Sequence, residues 1–112
     1  MATTPEAKVK SKAVALLKEI GAYYFFPATH GYGRSGVPDI VACVNGLFLG
    51  IECKAGKNTT TPLQDRELAA IRAAGGVSMV LNENNMQELT AILKEMTNGD
   101  TETRNTKATS LT

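Results

Sequence analysis

From Pro5 to Ile20, apolar residues recur at three- and four-residue spacing. Val9, Ala13, Leu16, Leu17 and Ile20 line one side, while Lys8, Lys12, Lys18 and Glu19 fall mostly elsewhere. That period predicts an amphipathic helix. Thr4 is placed to cap it, Pro5 suits a first turn whose amides lack helical partners, and Gly21 suits its end. "AYYFFP", residues 22–27, has a strand pattern rich in aromatics and closed by Pro27, and "ATHGYGRSG", residues 28–36, reads as a glycine-rich loop. Two apolar runs, residues 38–44 and 47–53, then flank Asn45-Gly46. Both central positions of a type I′ turn need positive φ, which Asn-Gly tolerates, so these runs predict a β-hairpin.

"AGKNTTTP", residues 55–62, is a second polar loop. Thr61-Pro62 opens a helix that runs through Leu63, Leu68, Ala69, Ile71 and Arg72 to a Gly75-Gly76 stop. "VSMVL", residues 77–81, predicts a short strand, and residues 85–96 a last amphipathic helix through Met86, Leu89, Ile92, Leu93 and Met96. From Thr97 the chain is Thr/Asn-rich with hardly a large apolar residue, which predicts a disordered tail over 97–112 and a folded domain over 5–96. The order is α-β-β-β-α-β-α. It predicts an α/β fold, a mixed four-stranded sheet flanked by helices, whose final β-α pair continues the sheet through a helical crossover.

With 112 residues the chain has room for one domain and one core. No apolar run approaches the ~18 residues that span a bilayer, and the first twelve residues lack the apolar stretch of a secretory signal. A soluble, cytoplasmic protein is expected. The net charge of +1 decides nothing about a nucleic-acid partner. Residues 1–81 hold nine Lys/Arg against six Asp/Glu; a basic rim around an acidic pocket would suit a phosphodiester, and a solvated mixed-charge surface would look the same. Cys43 and Cys53 both sit in apolar runs and read as small buried hydrophobes. The hairpin puts them on opposite faces, which excludes a bridge between them.

The hairpin carries the chemistry. A two-residue turn at 45–46 sets Val44 opposite Leu47, Cys43 opposite Phe48 and, counting outward, Asp39 opposite Glu52. Ile40, Ala42, Val44, Leu47, Leu49, Ile51 and Cys53 then share a wholly apolar face. The other face carries Asp39, Val41, Cys43, Phe48, Gly50, Glu52 and Lys54. Opposed side chains have Cβ atoms about 5 Å apart, and two negative charges at that distance repel by about 3 kcal/mol at an effective dielectric of about 20. Lys54, a shared proton or a bound divalent cation could offset that repulsion. Oxygen ligands without histidine favour Mg²⁺, Mn²⁺ or Ca²⁺ over zinc.

A surface ion pair of Lys54 with Glu52 or Asp39 is the plainer alternative. It explains neither the like-charge pairing nor Gly50, which would clear backbone beside the acids. Glu6 falls on the apolar side of the first helix and could reach the same pocket, or could merely complement the helix dipole. Gln64, two residues after Pro62, could face the site or lie exposed.

These residues resemble a known family. "VPDIVACVNGLFLGIECK" looks like the PD-(D/E)XK nuclease signature: Pro-Asp opening one strand and Glu-x-Lys ending the next. Glu6 on an N-terminal helix, "SGVPD", "IECK", "TPLQ" and "AAGG" together resemble the virus-type replication-repair nuclease (VRR-NUC) branch in its stand-alone phage form, over roughly residues 5–82. The resemblance implies a single restriction-endonuclease-like domain. It implies that Asp39, Glu52 and the Cys53 carbonyl bind Mg²⁺ or Mn²⁺, that Lys54 orients or activates the attacking water, and that Glu6 and Gln64 complete the catalytic set. It also implies a homodimer that cuts branched DNA, similar to a Holliday-junction resolvase in DNA repair, in the cytoplasm of a phage-infected or bacterial cell. His30, Tyr32 and Arg34, in the loop before Asp39, and Lys57 are candidate DNA contacts. Two other readings remain: a non-catalytic DNA-binding or assembly module on the same scaffold, and a restriction-type nuclease cutting duplex DNA.

Overall fold

Thr4 opens the first helix by accepting the Ala7 amide on Oγ1 at 3.1 Å, and Pro5 follows as its first residue. This helix, α1 (Pro5–Glu19), buries Val9, Ala13 and Leu17, one stripe of the apolar period. Gly21, at φ +74°, ends it in the left-handed region. The computed structural model describes residues 3–28 and 33–99. Within them follow β1 (Tyr23–Phe25), β2 (Ile40–Val44), β3 (Leu47–Cys53), α2 (Pro62–Ala73), β4 (Val77–Leu81), α3 (Met86–Lys94) and a π-helical turn (Glu95–Gly99). Residues 100–112 of the expected tail lie outside the described residues.

The strands form one sheet in the order β1-β2-β3-β4. The first two pairings are antiparallel and β3–β4 is parallel, so α2 serves as the crossover that a parallel pair requires. Asn45 and Gly46 take φ of 52° and 82°, the positive values of a type I′ turn. Ladder pairs run from Val44–Leu47 to Ile40–Ile51 without a slip. Asn45 also donates from Nδ2 to the Met96 carbonyl at 3.1 Å, which fastens the hairpin tip to the end of the last helix.

Alternation along the strands sorts the two faces as anticipated. Ile40, Ala42, Val44, Leu49, Ile51 and Cys53 join Met79 and Leu81 of β4 in a core with α1, Leu89 and Leu93. On the opposite face α2 covers β3 and β4: Leu68 is buried, and a Cβ on Gly50 would meet Ile71 Cδ1 at 2.7 Å and Pro38 Cγ at 3.0 Å. Gly50 therefore makes room for α2 and Pro38, not for the acidic pair itself. Among the described residues, no helix covers the β1–β2 half of this face. Tyr23 is 70% exposed there, beside Phe25, Cys43 and Phe48. The expectation of two buried cysteines thus holds for Cys53 alone. Cys43 lies on the uncovered half and is exposed.

Several element limits also differ: the last α-helix, expected over 85–96, spans Met86–Lys94 and passes into the π-helical turn. The aromatic run pairs only over Tyr23–Phe25, and β2 starts at Ile40 because the Asp39 side chain takes over the bonding that a continued ladder would supply. Among the described residues, no helix is long and apolar enough to cross a membrane.

Candidate functional site

At the open end of the hairpin the backbone ladder stops, and side chains complete it. Asp39 is the residue just before β2, and its Oδ2 accepts the Cys53 amide at 2.8 Å. One position back, Glu52 is the last residue but one of β3 and is only 2% exposed. The uninterrupted register brings the two carboxylates to adjacent places on the α2 side of the sheet.

Glu52 is gripped on one oxygen only. Its Oε2 accepts from Gln64 Nε2 at 3.0 Å and lies 3.6 Å from Lys54 Nζ. Its Oε1 is buried with no hydrogen-bond partner. A buried, unmet carboxylate oxygen costs stability unless it holds a proton or a cation. Burial first, and then the Asp39 carboxylate, raise the Glu52 pKa to about 7 against the pull of Lys54. The same two forces, burial and then Asp39, push the Cys53 thiol up to about 12, so that side chain stays a neutral part of the core.

The start of α2 fixes the direction of the Gln64 amide. Thr61 Oγ1 accepts the Gln64 amide at 3.2 Å, and Gln64 Oε1 accepts the Thr61 amide at 2.9 Å. This reciprocal capping box uses the carbonyl end of the Gln64 side chain and leaves its NH₂ end for Glu52. The loop before β2 sits against the same turn. Gly36, at φ +85°, leaves no space for a Cβ, which would lie 2.7 Å from the Leu63 carbonyl carbon and oxygen. Arg34, 78% exposed, donates from Nε to Glu67 Oε1 at 3.1 Å, one turn farther along α2.

Of the residues singled out from sequence, Asp39, Glu52, Cys53, Lys54 and Gln64 converge. Glu6 is exposed at the start of α1. It lines a cavity of about 590 Å³ with Ala55, Gly56, Asn58 and Glu83, and its charge, with that of Lys10, is felt at Cys53. The buried position anticipated for Glu6 is not what the fold provides, because the buried stripe of α1 begins at Val9. Arg34 is held by Glu67, and Lys57 is exposed beside the turn at Gly56. His30 and Tyr32 lie outside the described residues. Among the described residues, no three His, Cys, Asp or Glu side chains gather as a ready-made cation cage.

Sequence reasoning did not find Glu67 or Glu83. Glu67 shares an α2 face with Gln64, Leu68 and Ile71 by spacing, which was a usable signal. Glu83 accepts the Gly56 amide on both oxygens at 3.0 Å and thereby fixes the loop after Lys54; nothing in the sequence marked it.

The oxygen donors fit a hard divalent cation. Asp39 and Glu52 supply two adjacent carboxylates, and Glu52 Oε1 is the atom in need of a partner.

No family model matches the chain. Over 91 residues it is 38% identical to a curated protein of Acyrthosiphon pisum secondary endosymbiont phage 1 described as "Putative nuclease p44"; the match covers 79% of this chain and 90% of that protein. A solved structure described as "VRR_NUC domain" shares the fold with a TM-score of 0.66 at 21% identity, over 82% of this chain and 97% of the other.

Proposed function

Because the chain belongs to the VRR-NUC nuclease family, we propose that it is a Mg²⁺- or Mn²⁺-dependent endodeoxyribonuclease acting on branched DNA. The observation that carries this reading is the unmet Oε1 of Glu52 beside Asp39. The nuclease domain is residues 5–96. Asp39, Glu52 and the Cys53 carbonyl would hold the cation, and Glu6 would add negative charge from the α1 side. The cation, when bound, draws charge from the scissile phosphate and lowers the pKa of water.

The protein's own groups do the rest. Gln64 and Lys54 both hold Glu52 by Oε2, which leaves Oε1 as the oxygen that would meet a cation. Lys54 Nζ lies 3.6 Å from Oε2 with its side chain 14% exposed, a position from which it orients the attacking water and offsets charge developing on the phosphate. Arg34 and Lys57, both exposed, meet the DNA backbone together with His30 and Tyr32.

A symmetric junction presents two equivalent bonds, and one chain carries one site. The reading therefore includes a homodimer, and the uncovered β1–β2 half offers the apolar surface that a two-fold contact would bury.

The test is cleavage of branched and linear DNA across a Mg²⁺ and Mn²⁺ titration by wild type, Asp39→Ala and Lys54→Ala. Metal-dependent cutting of branched DNA by wild type only is the expected result. Equal cutting by all three, or none by wild type on any substrate, rejects the reading.

A further inference from the structure

A second surface faces away from α2, and its chemistry is that of an unpaired DNA strand. A groove of about 510 Å³ runs along one side of α1, lined by Ala7, Lys10, Ser11, Val14, Ala15, Lys18 and Phe26. Its floor is apolar and its rim cationic. Phe26 is half exposed, and Lys10 Nζ lies 4.1 Å from the centre of its ring, so the ammonium is held at the groove's edge instead of sweeping through solvent. Lys18 stands eight residues farther along the helix, about 12 Å at the α-helical rise.

The groove also lies toward the candidate site. Phe25 pairs with Val41 in an antiparallel ladder, so the chain beyond it, with Phe26, runs toward the Asp39 end of the sheet.

We propose that this α1 groove binds the unpaired DNA strand flanking the scissile phosphate, with a base against Phe26 and its phosphates at Lys10 and Lys18. The inference rests on the nuclease reading and names the part of the substrate that reading leaves open. Duplex DNA presents phosphates outward and keeps its bases stacked inside, so it would use the lysines and leave the apolar floor empty. An unpaired strand uses both, which is the usual chemistry of single-strand sites.

The test uses the full chain in EDTA, where binding is read without cleavage, as fluorescence anisotropy of labelled oligo-dT and of a duplex of equal length. Lys10→Ala/Lys18→Ala is expected to weaken oligo-dT binding about tenfold and to lower the slope of log K against log salt by about 1.4, two phosphates at about 0.7 each. Phe26→Ala is expected to weaken oligo-dT about fivefold or more and leave duplex binding unchanged. Circular dichroism melts confirm that each variant is folded. Wild-type affinity for oligo-dT in both variants, or equal losses on oligo-dT and duplex with Phe26→Ala, would overturn the proposal. Cleavage assays on the same preparations separate the two readings. Cutting that needs Lys54 but ignores the groove variants sinks this proposal alone; oligo-dT binding lost in the groove variants, with no cutting by wild type, sinks the nuclease reading alone.

Discussion

Gln64 reaches Glu52 from a side chain whose other end is already in use: Nε2 donates to Glu52 Oε2 at 3.0 Å while Oε1 closes the capping box with the Thr61 amide. One residue thus starts a helix and aims a carboxylate.

The two roles separate by substitution. Gln64→Glu can still cap, because a carboxylate at this position accepts the same amide, but it sets a third negative charge beside Glu52. It should melt within a few degrees of wild type and cut DNA at least tenfold more slowly. Gln64→Ala should lose both, with about 1 kcal/mol of stability gone with the cap. Thermal melts and single-turnover cleavage rates read the two effects independently.

Stability of the metal-free protein should fall as pH rises through neutrality. Glu52 keeps its proton up to about pH 7 in the fold, against 4.5 for the ordinary group. Between those values the folded state binds more protons than the unfolded state, so the contribution is complete below about 4.5 and gone above 7. The span corresponds to about 3 kcal/mol. Urea melts in EDTA from pH 4.5 to 8 should show the decline in wild type, and Glu52→Gln should flatten it. Parallel profiles for the two proteins would contradict the assignment.

Asp39 acts on the fold as well as on the site. Asp39→Asn keeps an oxygen for the Cys53 amide but loses the charge, whereas Asp39→Ala strands that amide at a cost of about 1–3 kcal/mol. The Asn variant should fold normally and the Ala variant should melt lower. Mn²⁺ should raise the melting midpoint of wild type and of neither variant, as differential scanning fluorimetry would show.

The two thiols should react very differently. Cys43 is exposed, and Cys53 is buried with its pKa pushed up to about 12. Iodoacetamide on the native protein should label Cys43 alone, with Cys53 following only in denaturant. Peptide mass mapping gives the answer directly.

Much of this arrangement was legible in the sequence because short-range signals fixed it. Asn45-Gly46 set the turn, the turn set the register, and the register set Asp39 beside Glu52. Thr61-Pro62 marked the start of α2, and the Thr-x-x-Gln spacing of a capping box stood there to be read, though its consequence for the Gln64 amide went unread. What was not legible depended on which part of the sheet each helix covers. Alternation put Cys43 and Gly50 on one face, but only the position of α2 leaves the first open and presses the second against Ile71. Glu6 shows the same limit. Its helical phase matched the buried stripe, yet the core ends at Val9, and a residue beyond the last packed turn is exposed whatever its phase.

Asp39 and the Cys53 amide that it holds are only fourteen residues apart in the chain, and Gln64 is twelve beyond Glu52. The centre is therefore built from near neighbours, while the core needs α1 and α3 to come in from both ends of the chain. Short loops close in well under a microsecond and long-range packing comes later, so the two acids confront each other while the protein is still assembling. Their mutual repulsion is then a barrier to hairpin closure, and either protons or divalent ions would speed the folding reaction as well as stabilise its product.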